Sequence, residues 1–149
     1  MRVSVPSPVG PLVVEEADGR LVRLTWSRAV PEGGSDLLTR AAAELAEYFA
    51  GERRGFDLPL ALSDGLVGQV QREMLAIPFG ETTTYGAIAK RLGVPAQAVG
   101  QACGANALPV IVPCHRVLGA NGLGGFSAAG GVETKVFLLR LEGAAGLLI

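Results

Sequence analysis

The first sixty residues alternate between short apolar runs and turn signals. Residues 9–17 and 20–27 are apolar stretches separated by Asp18-Gly19, a pair that favours the tight turn of a β-hairpin. Leu37, Leu38, Ala41, Leu45 and Tyr48 then recur at helical spacing, which predicts a helix capped by Asp36 and ended by Gly51. A short strand near Phe56 to Leu60 and a helix from about Gly65 to Ile77 follow. Pro78-Phe79-Gly80 breaks the pattern and marks a candidate lobe boundary. The chain has no internal repeat and no low-complexity linker.

Beyond that break the elements shorten. Thr84 is placed to cap a helix from Tyr85 to about Leu92, Gly93-Val94-Pro95 makes a tight turn, and a second short helix runs from Ala96 to about Gly104. Two short helices across a Gly-containing turn read as a helix-turn-helix, a pattern shared with hairpins that never touch DNA. The second helix carries Ala96, Ala98, Gly100, Ala102 and Gly104, so one face is nearly bare. Such a face either packs closely on another helix or enters a DNA groove. An apolar run, Val110-Ile111-Val112, reads as a buried strand. A Gly-rich loop spans residues 121–131, and a last helix runs from Glu133 to Leu141 or Glu142.

At 149 residues, 49% hydrophobic and 18% charged, the chain suits one domain or two small lobes sharing a core, and disorder is not expected. No apolar run approaches the roughly 20 residues of a membrane span, and MRVSVPSPVG lacks the apolar core of a signal peptide. A cytoplasmic protein without membrane contact is the expectation. Cys103 and Cys114 are too few for a disulfide framework, and one histidine assembles no zinc set, so no metal site is expected and any cysteine chemistry uses thiols. Charge adds one hint. Residues 1–80 hold eight arginines against eleven acids, whereas residues 81–149 hold five cations against three. A nucleic-acid surface belongs in the second half, although the excess alone fits an ordinary solvated face.

The chemistry concentrates at Val110 to Val117, where the thiol of Cys114 adjoins the only imidazole, His115. The thiolate is the nucleophile and a free thiol titrates near pH ~8.5, so the pair is reactive only if the imidazole can take the proton. Neighbours in an extended strand point to opposite faces. A tight turn or a bridging water is therefore needed, and the dipeptide alone fits a buried structural cysteine equally well. The Gly-rich loop lacks the GK[ST] ending of a P-loop and the GxGxxG spacing of a dinucleotide fold. It reads as a pocket wall offering backbone N–H donors.

Taken in order, Ile77-Pro78-Phe79-Gly80-Glu81-Thr82, Tyr85-Gly86, Ala98-Val99-Gly100, Asn106, Pro113-Cys114-His115-Arg116-Val117, Gly124-Gly125-Phe126-Ser127, Lys135 and Leu138-Leu139 before Glu142 resemble the O6-alkylguanine-DNA alkyltransferases. This family is also called the methylated-DNA–protein-cysteine methyltransferases. The match runs unbroken over roughly residues 65–145. The resemblance implies an α+β fold: a small N-terminal antiparallel-sheet lobe, ribonuclease H-like, over 1–64, and a C-terminal winged helix-turn-helix-like DNA-binding lobe over 65–149 that carries the cysteine. It implies a monomer that repairs double-stranded DNA by irreversible, single-turnover transfer of a methyl or larger alkyl group from guanine O6 to Cys114, with base flipping and without a cofactor.

The same resemblance assigns roles. Cys114 attacks the alkyl carbon, His115 takes the thiol proton through a water, and Glu142 orients the imidazole. Asn106 holds the active-site turn. Tyr85 bonds the flipped base and stabilises the guaninate, and a loop N–H near Ser127 donates to O6. The carbonyls of Cys114 and Val117 read the guanine amino group, and Phe126 and Cys103 complete the substrate pocket. Thr84, Ala96, Gln97 and Ala98 face DNA. Arg116 reads as a structural salt-bridge residue and Lys135 as surface or helix support.

The chain departs from the family pattern in places. Gln97 stands where the family carries an intercalating Arg, which weakens base extrusion without touching the chemistry. Cys103 replaces a larger apolar residue, Ala107 replaces a Pro, and the loop from Ser127 to Lys135 is two residues longer, so a roomier pocket admitting larger alkyl groups is expected. Two other classes compete: an alkyl-lesion sensor, which characteristically lacks the nucleophilic cysteine, and a winged-helix transcription regulator, which leaves the Gly-rich loop and Glu142 unexplained.

Overall fold

The structure, a computed structural model, describes residues 1–28, 33–120, 122–126 and 130–144. The chain divides into two compact units, Met1–Ala61 and Leu62–Ile149. In the first, strands β1 (Arg2–Val5), β2 (Leu12–Ala17) and β3 (Arg20–Trp26) form an antiparallel sheet in the order β1-β2-β3. Asp18 and Gly19 both take positive φ, 52° and 76°, as the tight β2–β3 turn demands. Helix α1 (Asp36–Phe49) packs on β1 and β2 and buries Leu38, Ala41, Leu45 and Tyr48 at helical spacing.

Two details differ from the sequence pattern. The cap of α1 is Ser35, not Asp36: its hydroxyl accepts from the Leu38 amide at 3.1 Å and donates to Glu16, which leaves Asp36 as the first helical residue. The strand expected near Phe56 to Leu60 is only an isolated parallel bridge between Leu60 and Leu21. Pro59 supplies its carbonyl to the Leu21 amide at 2.9 Å but has no N–H, so the ladder cannot extend.

The second unit is mostly helical. Helix α2 (Gly65–Leu75) is followed by a two-residue strand β4 (Thr83–Thr84), helix α3 (Tyr85–Leu92) and helix α4 (Ala96–Gly104). Pro78 to Gly80 therefore lies within this unit. The Thr84 hydroxyl caps α3 by accepting from the Ala87 amide at 3.0 Å, and Gly93, at φ 70°, closes it in the left-handed conformation. Helices α2, α3 and α4 pack together around Val70, Met74, Ile88, Val99 and Ala102. A 3-10 turn (Cys114–Arg116) leads into β5 (Val117–Leu118), which pairs in parallel with β4, and helix α5 (Val132–Leu141) packs against that turn.

The expected strand at Val110 to Val112 is absent. Val110 is left-handed at φ 73°, the Val112 amide turns back onto the Leu108 carbonyl at 2.8 Å, and Pro109 and Pro113 withhold the amides a ladder needs. The run is apolar because it is buried as a compact turn, not because it belongs to a sheet. Among the described residues no helix is long and apolar enough to cross a membrane.

Candidate active site

The local fold delivers Cys114 through a pair of turns. Its amide donates to the Val112 carbonyl at 2.8 Å across Pro113, whose φ of −80° and ψ of 68° make an inverse γ-turn, and the 3-10 turn begins at once. Asn106 pins this arrangement. Its Nδ2 donates to the same Val112 carbonyl at 3.1 Å, while its Oδ1 accepts from the Leu108 amide and from Gln71 Nε2, each at 3.1 Å. Gln71, buried on α2, accepts in turn from the Ser63 amide at 2.8 Å. A buried amide with both ends engaged has one orientation, so the turn that carries the thiol has little freedom.

His115 is fully buried, and its Nε2 lies 2.7 Å from Glu142 Oε2. Glu142 follows α5 and also takes two bonds from Arg116, from Nε to Oε1 at 2.8 Å and from Nη2 to Oε2 at 2.9 Å. The remaining Arg116 nitrogen donates to the Ile77 carbonyl at 2.7 Å, and the guanidinium sits over the Phe79 ring at 5.8 Å. A carboxylate on Nε2 selects the tautomer with the proton on Nε2 and the lone pair on Nδ1. Nδ1 has no hydrogen-bond partner among the described residues. Burial holds the imidazole below its ordinary pKa, against the pull of Glu142, so the ring is neutral and able to accept a proton.

Burial also pushes the Cys114 thiol above its usual range, opposed by a hydrogen bond from Asn106 and by the positive charge of Lys135. The resting sulfur is therefore a thiol, and it needs a base. Cys103, buried at the end of α4 with its sulfur 3.7 Å from Met74 Sδ, is pushed up to about 12, mainly by burial. Of the two cysteines only Cys114 stands next in sequence to the histidine.

Lys135 differs most from expectation. It is not a surface residue: its side chain is fully buried, and Nζ donates to the carbonyls of Val117 at 2.7 Å, Leu123 at 2.5 Å and Gly125 at 3.1 Å. The ammonium also lies 5.8 Å from the centre of the Tyr85 ring. One cation thus gathers β5 and two points of the Gly-rich loop, and desolvation lowers its pKa in consequence. The sequence did carry a signal. Lys135, Leu138, Leu139 and Glu142 repeat at i, i+3, i+4 and i+7, the stripe that α5 buries.

Tyr85, Gly100, Cys103, Gly104, Cys114, Gly125 and Phe126 line a cleft of about 450 Å³. Tyr85 opens α3, and burial raises its phenol pKa, so the hydroxyl remains a donor. Gly124 lies against it: a Cβ there would fall 2.9 Å from the ring and 3.0 Å from the hydroxyl. The structure thus brings Tyr85, Cys103, Cys114 and Phe126 into one cleft, and bonds His115 to Glu142 and Asn106 to the active-site turn. Val117 is buried, and its carbonyl accepts from Lys135. Ser127 lies outside the described residues. Ala96, Gln97 and Ala98 form the first turn of α4, with Ala96 and Gln97 exposed, and Thr84 spends its hydroxyl on the α3 cap. Gln71 is a site residue that the sequence pattern did not single out, whereas Gly100 and Gly104 of the bare helix face and Gly125 of the Gly-rich loop line the cleft.

Comparison with known proteins places this geometry. The model of the 6-O-methylguanine DNA methyltransferase ribonuclease-like domain matches residues 3–62, and that of the DNA binding domain of the same proteins matches residues 66–144. A methylated-DNA–protein-cysteine methyltransferase of Methanosarcina acetivorans is 40% identical, covering 93% of this chain and 95% of its own length. A constitutive one from Bacillus subtilis is 38% identical over 91% of each. The crystal structure of Mycobacterium tuberculosis OGT in complex with DNA superposes with a TM-score of 0.84 at 41% identity, covering 94% of this chain and 91% of that one. With both halves matched in order, the chain belongs to the 6-O-methylguanine DNA methyltransferase family.

Proposed function

We propose that this protein repairs DNA by moving an alkyl group from guanine O6 to the sulfur of Cys114, once per molecule. The observation that carries the reading is the His115–Glu142 contact of 2.7 Å, which leaves the Nδ1 lone pair as a proton acceptor next in sequence to a thiol that lines a cleft. Deprotonated through His115 Nδ1, directly or by way of a water, the Cys114 sulfur attacks the alkyl carbon in line. The S–C bond forms as the C–O6 bond breaks, and the electron pair leaves on the guanine. The Tyr85 hydroxyl donates to that developing anion. A thioether is a poor leaving group, so nothing returns Cys114 to a thiol and the protein is consumed.

Substrate recognition follows from the same cleft. Phe126 and Tyr85 offer faces for a purine, and the backbone of Gly125 approaches closely because no side chain intervenes. The Val117 carbonyl has a second lone pair for a guanine amino group beyond the one given to Lys135. Gln97, Gly100 and Gly104 lie at i, i+3 and i+7 on one face of α4, so the exposed Gln97 stands one turn along the helix from a cleft-lining residue. That is where a side chain would occupy the gap left by a base turned out of the duplex. The test is a pair of variants: Cys114→Ser should lose transfer from an O6-methylguanine duplex, and Cys103→Ser should keep it. Transfer surviving in Cys114→Ser would overturn the assignment.

A further inference from the structure

Gln71 lies on the buried face of α2 with Val70 and Met74, only 1% exposed, and it does not line the cleft. An apolar residue would pack there without the cost of desolvating an amide. Nor is Gln71 needed to orient Asn106. The Leu108 amide donates to Asn106 Oδ1 and the Val112 carbonyl accepts from Nδ2, so the two ends of that side chain are already distinguished. What Gln71 adds is direction. The Ser63 amide donates to Gln71 Oε1 at 2.8 Å, Gln71 Nε2 donates to Asn106 Oδ1 at 3.1 Å, and Asn106 Nδ2 donates onward, so three amides point the same way. Gly68, three residues before Gln71 on α2, makes room for the start of this chain: a Cβ there would strike the Ser63 carbonyl.

The far end of the chain is the reacting atom. Asn106 also forms a side-chain hydrogen bond that favours the Cys114 thiolate over the thiol. Only its Nδ2 can give that bond, because a thiolate accepts and Oδ1 already faces two donors. Hydrogen bonds arranged head to tail polarise one another, and in a buried site water does not screen the effect. We propose that Gln71 is a positioning residue for the transfer reaction: from outside the cleft it holds and polarises Asn106, so that the N–H facing the Cys114 sulfur binds the thiolate more firmly than Asn106 alone would. The inference rests on the alkyl-transfer reading, with Cys114 as the nucleophile. No proton moves along the relay. The thiol proton still leaves through His115, and Gln71 acts by stabilising the charge that remains on the sulfur.

The experiment measures iodoacetamide labelling of the Cys114 peptide against pH for the unaltered protein, Gln71→Leu, Gln71→Met and Gly68→Ala, with folding checked by circular dichroism. Methyl transfer from an O6-methylguanine duplex is followed on the same samples. An aligned neighbour strengthens a hydrogen bond by about 10–30%, so both Gln71 variants should need a higher pH to reach half their maximal labelling rate, and labelling at neutral pH should fall about twofold. Gly68→Ala keeps the glutamine but displaces Ser63, and should shift the midpoint the same way by less. An unmoved midpoint in the folded variants, whatever their maximal rate, is what a mere packing brace would give, and it would overturn the relay. Shifted midpoints in a protein that accepts no methyl group would overturn the transfer reading and leave the relay standing.

Discussion

Replacing Lys135 by Met removes the charge but keeps a chain of similar length on the buried face of α5. The lost ammonium serves three carbonyls, those of Val117, Leu123 and Gly125. Val117 is buried while the Leu123 and Gly125 bonds are only part-buried, and a buried acceptor deprived of its donor costs about 1–3 kcal/mol. Two terms offset that. Carbonyls in the Gly-rich loop can turn toward solvent when released, and the desolvation that lowers the Lys135 pKa is itself a cost that vanishes with the charge. A net loss of about 1–2 kcal/mol remains, a noticeable share of the roughly 5–15 kcal/mol that holds a domain together. Urea unfolding should show it as a lower midpoint with unchanged slope.

The same substitution has an electrostatic consequence. Lys135 pulls the Cys114 pKa down against burial, so its removal lifts the thiol further and moves the alkaline rise of the transfer rate to higher pH. Lys135→Arg should not rescue either property, because a planar guanidinium cannot place one nitrogen among three carbonyls that converge on a point. If Lys135→Met matched the parent within about 0.5 kcal/mol and transferred with the same pH profile, the buried-cation account of the loop would be wrong.

Asn106→Ala strips the Val112 carbonyl of a donor and Gln71 and Leu108 of an acceptor, so it should cost about 2–4 kcal/mol in chemical unfolding and slow transfer; equal stability would contradict the brace. Glu142→Gln withdraws the charge that raises the His115 pKa, so the acid limb of the rate profile should move to lower pH while the plateau drops; an unmoved limb would mean that His115 is not the base. Gln97→Arg should speed transfer from duplex DNA relative to free O6-benzylguanine, which needs no extrusion; identical duplex rates for the parent, Gln97→Ala and Gln97→Arg would remove position 97 from the flipping step.

Local rules accounted for local structure. Asp18-Gly19 specified a hairpin because both positions require positive φ, and Thr84 and Gly93 bracketed α3 because one supplies a capping oxygen and the other a left-handed residue. The family resemblance carried the relation among Cys114, His115 and Glu142, which no local pattern could supply across 26 residues of chain from Arg116 to Glu142. Long-range polar contacts outside that set were illegible. Gln71 reaches Asn106 across 35 residues, and nothing in its helix distinguishes it from a solvated glutamine. Lys135 reads from sequence as surface or helix support because lysines are seldom buried, and the convergence of three carbonyls explains why this one is. Val110 to Val112 misled in the opposite sense, since an apolar run reports burial and leaves open whether a strand or a turn is buried.

The central claim is that one sulfur accepts one alkyl group and keeps it. Intact-protein and peptide mass spectrometry after mixing with excess O6-methylguanine duplex measures this directly. The account predicts a mass gain of one CH2 per molecule, confined to the peptide bearing Cys114, with guanine restored in equal amount and no further turnover on longer incubation. Label on Cys103, or restored guanine exceeding the protein present, would contradict it.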